Sequence, residues 1–309
     1  MSARYTAAML AELVGVHVSR VRSWQRQGWI VPSEETHRLA YFNFPELNVA
    51  RQLADLHRAG AKPAFIERKL AEIARRFPDV TRPLAELTLV LDGRSLLVRR
   101  ERGLVEAGGQ LRIDFDALAQ DAAEEQPPAI LSTAAFLSRQ SPALPDQATP
   151  QQLASWATEL EEAGDLRSAA EMFRAALAAG GPQPELCFQL AEVLYRAGDL
   201  AAARERYFMA LELDENYVEA RANLGCVLLD QSEKELAVAA FEGTLRSHEP
   251  YADVHYHLAR TLDELTRSGE ADGHWRRFVE LAPDSPWADE ARLRLSGTKG
   301  EEGKGKRGR

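Results

Sequence analysis

Small and large apolar residues recur every 34 positions through the C-terminal half of this chain. Ala169, Ala203, Ala237 and Ala271 follow one another at that interval, and each is followed four residues later by an aromatic: Phe173, Tyr207, Phe241, Trp275. A second small series, Ala157, Ala191, Gly225 and Ala259, precedes them by twelve residues. Trp156, Leu190, Leu224 and Leu258 stand directly before that series, and Leu160, Leu194, Leu228 and Leu262 follow it in the same register. Small residues let two helices approach and the aromatics fill the gap beside the crossing. The period therefore predicts four stacked helix pairs, none able to bury its apolar face alone. Trp275 and Phe278 of the last pair need a neighbour, which predicts a capping helix around Trp287–Leu295 opened by Ser285-Pro286.

The pattern differs ahead of the repeats. Thr6 suits a helix N-cap before Ala7–Val14, with Leu10, Leu13 and Val14 on one face. Gly15 breaks that helix, and a second follows to about Gln27, where Gly28 stops it. Ala11, Gly15 and Val21 fit a helix-turn-helix: close approach, turn, and packing of the second helix on the first. Two more helices are expected over 45–59 and 63–77. Between Leu84 and Phe115 the period becomes two, with Asp92-Gly93 as a tight turn, predicting a small β module. Such a sheet either packs on the head or pairs with a second copy, which makes it the expected homodimer contact. Residues 117–149 read as a linker and 296–309 as a disordered tail.

The 34-residue pattern resembles the tetratricopeptide repeat, which implies an α-solenoid that holds another macromolecule. The head resembles the winged helix-turn-helix of the MerR superfamily of bacterial transcription regulators. Val21-Arg22-Ser23-Trp24 runs through Gly28 to Pro32, and a wing with Arg38 and Tyr41 follows. That resemblance implies phosphate contacts from Arg22, Arg38 and Tyr41 and base-edge contacts from His17, Ser19 and Arg20, with Trp24 in the same motif where the family usually has tyrosine. No long coiled-coil helix follows the head, since Pro78 and Pro83 end the helical pattern. The fold class expected is mostly α. A winged helix-turn-helix (1–77) leads into a β-rich middle module (84–116) and a linker (117–149). A solenoid of four tetratricopeptide repeats with a capping helix (150–295) completes it.

Charge sharpens this division. The chain of 309 residues has a net charge of −9, but residues 1–77 carry 12 Lys/Arg against 7 Asp/Glu, whereas residues 150–295 carry 14 against 27. A basic head on an acidic body points to polyanion binding at the front only, and the resemblance of the head implies that this polyanion is double-stranded DNA. The groove lined by the first helices of the repeats would present Glu185, Phe188, Glu192, Tyr195, Glu219, Ala222, Cys226, Leu229, Asp253, Tyr256, Arg260 and Asp263. Acids outnumber bases there, so a protein or peptide partner mixing basic and apolar side chains fits best.

Nothing points to catalysis, a cofactor or a metal. His255 and His257 face different sides of a helix, Cys187 and Cys226 have no zinc or disulfide spacing, and no phosphate loop or nucleophile elbow occurs. Acid pairs such as Glu161-Glu162 read as solvated helix faces. The apolar runs are too short to span a bilayer and no signal-peptide pattern opens the chain, so a cytoplasmic protein is expected. The leading reading is a DNA-binding regulator whose repeats dock a partner. The alternatives are a scaffold or adaptor that never meets DNA, and an antitoxin-like regulator.

Overall fold

The 34-residue register sets the start of every repeat helix. In the computed structural model, which describes residues 4–92, 95–100, 103–106, 111–112 and 148–305, the first helices of the four repeats are α6 (Pro150–Glu162), α8 (Pro184–Arg196), α10 (Val218–Asp230) and α12 (Ala252–Glu264). Their partners are α7 (Leu166–Gly180), α9 (Leu200–Leu213), α11 (Lys234–Ser247) and α13 (Ser268–Leu281). Proline opens α6 and α8, where its missing N–H is no loss, and Thr149 with Gln152 forms a capping box. Asp165 and Asp199 cap α7 and α9 by accepting backbone N–H groups of Ser168 and Ala202. The turn within each pair needs one left-handed residue: Gly164 (φ 85°), Gly198 (φ 82°), Ser232 (φ 64°) and Thr266 (φ 58°). Glycine accepts that conformation freely, whereas the last two repeats hold it with L side chains at a cost in strain.

The small-plus-aromatic pattern is the core of the solenoid. Ala169, Ala203, Ala237 and Ala271 are fully buried, and so are Phe173, Tyr207 and Phe241, with Trp275 almost so. Gly225 is as tightly placed, since a Cβ there would lie 2.4 Å from the Phe241 ring. The capping helix α14 runs Ala288–Gly305, so helical backbone continues beyond Leu295 into the stretch expected as a tail. Trp287 stacks on Tyr256 at 5.1 Å between ring centroids, and Tyr256 also meets Trp275 and Phe278.

Two compact units divide the chain, one made of Met1–Ala50 with Thr149–Arg309 and the other of Arg51–Ala148. In the first, α1 (Ala7–Val14) is capped by Thr6 and closed by left-handed Gly15, and α2 (Val18–Arg26) follows. The wing is β1 (Glu34–Thr36) paired antiparallel with β2 (Leu39–Tyr41), and α3 (Phe44–Arg58) begins after it. A two-residue turn, His37 (φ 50°) and Arg38 (φ 61°), joins the strands. Both residues are left-handed, as the tightest hairpins require, although neither is glycine.

In the second unit are α4 (Pro63–Arg76), the short α5 (Pro83–Glu86) and an antiparallel sheet ordered β3 (Thr88–Asp92), β4 (Ser95–Arg100), β5 (Gly103–Glu106), β6 (Leu111–Arg112). Gln52 fastens this unit: its amide donates to the Leu84 carbonyl at 3.2 Å and accepts the Leu89 N–H at 3.1 Å. The Gly93 turn and nearly all of the expected linker lie outside the described residues. Among the described residues, no helix is long and apolar enough to cross a membrane.

Candidate functional site

Within the first unit, the basic face of α2 and the tip of the wing lie against the first helices of the repeats. Arg22 stands at the centre. It is ion-paired with Glu192 of α8 and, at 2.6 Å, with Glu219 of α10, while its guanidinium sits 5.1 Å from the centre of the Phe188 ring. All three groups are largely hidden, with side-chain exposures of 11% for Arg22, 9% for Glu192 and 13% for Glu219. Burial opposes the charge on Arg22, but Glu219 outweighs it, and the guanidinium is held above its ordinary pKa.

The flanking contacts follow the same sense. Arg20 donates to the Glu162 carbonyl at 3.0 Å and lies 3.8 Å from its carboxylate, which Ser23 also reaches. Arg196 bridges the Ser19 hydroxyl (3.0 Å) and Glu161 (2.7 Å). From the wing, Arg38 donates to Asp214 at 2.7 Å, approaches Glu185 at 3.9 Å and lies over the Tyr217 ring. The Tyr41 hydroxyl donates to the Pro250 carbonyl at 3.0 Å and lies 2.8 Å from His248 Nε2. Between Arg22, Arg26, Arg38, Glu185, Phe188 and Tyr217 a cavity of about 130 Å³ remains.

At the far end, the Thr6 hydroxyl donates to Asp253 Oδ2 at 2.6 Å, and Asp253 Oδ1 has no hydrogen-bond partner among the described residues. Burial, with Glu219 adding to it against the Thr6 hydrogen bond, pushes the Asp253 carboxyl up to about 7. At the N-terminus of α2, His17 Nδ1 accepts the Ser19 N–H. Loss of solvation there, followed by the field of Arg196, Arg22 and Arg20, lowers His17 to about 4 and keeps the imidazole neutral.

The residues expected to touch DNA and those expected to line the groove are thus brought together. Arg22 and Arg38 meet Glu185, Phe188, Glu192 and Glu219, while Asp253 meets Thr6. Trp24 is different: only 3% exposed, it packs in the head core and presents no surface for a contact. Several groove residues engage other parts of the repeats. Tyr195 donates to Asp230, Asp263 accepts from the Trp275 indole, and Tyr256 donates to Glu290, near which Arg260 also lies. Ala222 is buried, Leu229 half-buried, and Cys226 is a half-buried free thiol that burial raises to about 12.

Sequence reasoning missed Glu161 and Glu162, and the solvated-face reading of that pair is corrected: Glu161 is buried and both bind the head or its neighbour Arg196. The signal was available. Glu161 precedes Tyr195, Leu229 and Asp263 by successive 34-residue steps, so it is the first-repeat member of a groove series.

Residues 5–73 match the MerR HTH family of regulatory proteins, and residues 155–218 and 222–286 match the tetratricopeptide repeat family. Neither family is of a catalytic type; the first suggests a DNA-binding regulator and the second protein interaction. No curated protein matches the sequence. Similar solved structures include YrrB, a tetratricopeptide repeat protein with an unusual peptide-binding site, at 23% identity and a TM-score of 0.43, covering 47% of this chain and 74% of that one. A tetratricopeptide repeat protein from Parabacteroides merdae has 20% identity and a TM-score of 0.46, covering 49% and 60%. Pseudomonas aeruginosa pilF has 20% identity and a TM-score of 0.46, covering 51% and 72%.

Proposed function

We propose that this chain, a MerR-family helix-turn-helix head joined to tetratricopeptide repeats, is a DNA-binding transcriptional regulator that also docks a protein through its repeat groove. The observation that supports this is the head itself. Gly15 turns α1 into α2, α2 carries Arg20, Arg22 and Arg26, and the wing carries Arg38 at its tip. In that reading Arg22, Arg38 and Tyr41 hold phosphates and position the head, while His17, Ser19 and Arg20 face base edges in the major groove. One winged head covers roughly 600–1,000 Å², so two heads on one site are expected. The groove, with Glu185, Glu192 and Glu219 beside Phe188, suits a partner segment that presents arginine with apolar neighbours.

A second reading has one observation in its favour. Arg22, Arg38 and Tyr41 are all engaged by the repeats, as they would be in a scaffold whose head never meets DNA. Selection from a pool of random-sequence duplexes at low ionic strength separates the two. It is run with the native chain and with Glu192→Gln/Glu219→Gln. Enrichment of one sequence motif by either chain supports the regulator, and enrichment by neither refutes it and leaves the scaffold. For the enriched duplex, Arg38→Ala should flatten the salt dependence by about one unit of slope.

A further inference from the structure

The side chains that would bind DNA and the carboxylates of the groove occupy one another. Arg22 is enclosed by Glu192, Glu219 and the Phe188 ring, Arg20 and Ser23 are held by Glu162, and Arg38 is held by Asp214. An α-helix that reads bases must enter a major groove about 12 Å wide, and α2 cannot enter it while α8 and α10 cover its face. We infer that the repeat groove is a docking surface for the chain's own recognition helix and wing, so that duplex DNA and the groove compete for Arg20, Arg22 and Arg38. The occupant is α2 itself, and the proposal rests on the DNA-binding reading above.

The chemistry of the contact supports a displaceable ligand rather than a fixed domain core. The central contacts are ionic, from one arginine to carboxylates on two successive repeats, and the outlying ones are polar as well: Thr6 to Asp253, Arg20 and Ser23 to Glu162, Arg38 to Asp214 and Glu185, and Tyr41 to Pro250 and His248. Carboxylates in this arrangement offer the guanidinium the same kind of partner that a phosphate would. The closed form holds the head away from DNA, and apparent affinity for a duplex falls by the fraction of chains that are open.

The test uses the full chain and a fluorescent duplex of about 30 base pairs, taken from the selection above or of random sequence at low salt. Glu192→Gln/Glu219→Gln leaves the buried Arg22 without charged partners in the groove, which opens the head. We expect the duplex to bind at least about tenfold tighter than to the native chain. Small-angle scattering of the free variant should show a larger radius of gyration. Glu205→Gln/Glu212→Gln, which removes the same charge at exposed positions of α9, should leave both measurements unchanged. Asp214→Asn frees only Arg38 at the rim and keeps the fold if the double variant does not; it should raise affinity by a smaller factor in the same direction. Equal duplex affinity of the native chain and both groove variants, with unchanged scattering, overturns the closed form while leaving DNA binding in place. A rise with Glu205→Gln/Glu212→Gln matching that of the groove variants also overturns it, assigning the gain to bulk charge. Absence of binding by every chain refutes the DNA reading itself and the competition with it.

Discussion

Replacing Gly225 by alanine tests whether the helix crossings depend on size at one atom. The added Cβ would lie 2.4 Å from Cε1 of Phe241 and 2.8 Å from both Cδ1 and Cζ. Carbon atoms rest at about 3.5–4.0 Å, so the ring must retreat by about 1 Å. It has little room, because Phe241 is fully buried and stacks on His257 at 5.9 Å. Overpacking of this kind costs about 1–3 kcal/mol, against which alanine in a helix interior gains about 1 kcal/mol over glycine. The expected net result is a loss of up to about 2 kcal/mol. Gly273→Ala is the internal comparison, since nothing lies within 4 Å of its added Cβ and only the helix gain of up to about 1 kcal/mol remains. Gly243→Ala falls between them, meeting only the flexible ends of Arg221 and Arg246 at 3.3 and 3.4 Å. Urea unfolding of the three variants, followed by circular dichroism, should order them 273, 243, 225 from most to least stable. A Gly225→Ala chain as stable as Gly273→Ala would refute the crossing argument.

Other predictions follow from the same geometry. The Asp253 pKa rises from 3.8 in an unstructured chain to about 7 when folded, so its ionisation opposes folding. The penalty is absent below about 4 and complete above about 7; at 1.36 kcal/mol per unit it reaches at most about 4 kcal/mol. The stability of the native chain relative to Asp253→Asn should therefore fall between about pH 4 and 7 and stay level above that, and a constant difference in urea midpoint would contradict this. Thr266→Gly should stabilise by up to about 1 kcal/mol by relieving a left-handed β-branched residue, and a loss on thermal unfolding would show that the turn is not strained. Trp287→Ala should cost about 3 kcal/mol or more by uncovering Tyr256, measured by urea unfolding; an unchanged midpoint would mean the cap adds nothing. If Arg20 reads a base, Arg20→Ala should relax the motif enriched from random duplexes rather than weaken all sequences equally, which a repeat selection would reveal.

The repeats were legible because their information is local and periodic. One alanine every 34 residues fixes a crossing, and the helix starts at Pro150, Pro184, Val218 and Ala252 keep that step. The cap was legible for a related reason: Trp275 and Phe278 needed covering, though nothing marked how far the helix would continue. The head's core was readable from Thr6, Ala11, Gly15 and Val21. The seating of Arg22 between Glu192 and Glu219 was not, because it joins residues far apart in the chain and no period connects them. Opposite net charges on head and repeats were a signal without an address. Tyr256 illustrates the converse. Its position in the register marked a groove residue, but an aromatic in the last repeat is also the platform on which the cap's Trp287 stacks.

The first compact unit is built from two stretches of one chain, Met1–Ala50 and Thr149–Arg309, with Arg51–Ala148 running between them. The groove therefore meets its occupant as a tethered ligand, and dilution does not release it. Even short flexible tethers set an effective concentration of roughly millimolar, and that serves as the reference figure for a covalently linked head. A free partner present at micromolar levels must then bind the same carboxylates about a thousandfold more tightly than α2 does to displace half of it. Weak encounters with the many arginine-bearing surfaces of a cell fall below that threshold. The concentration at which a true partner acts is fixed by the tether and the head's intrinsic affinity, and is independent of how much of this protein is present.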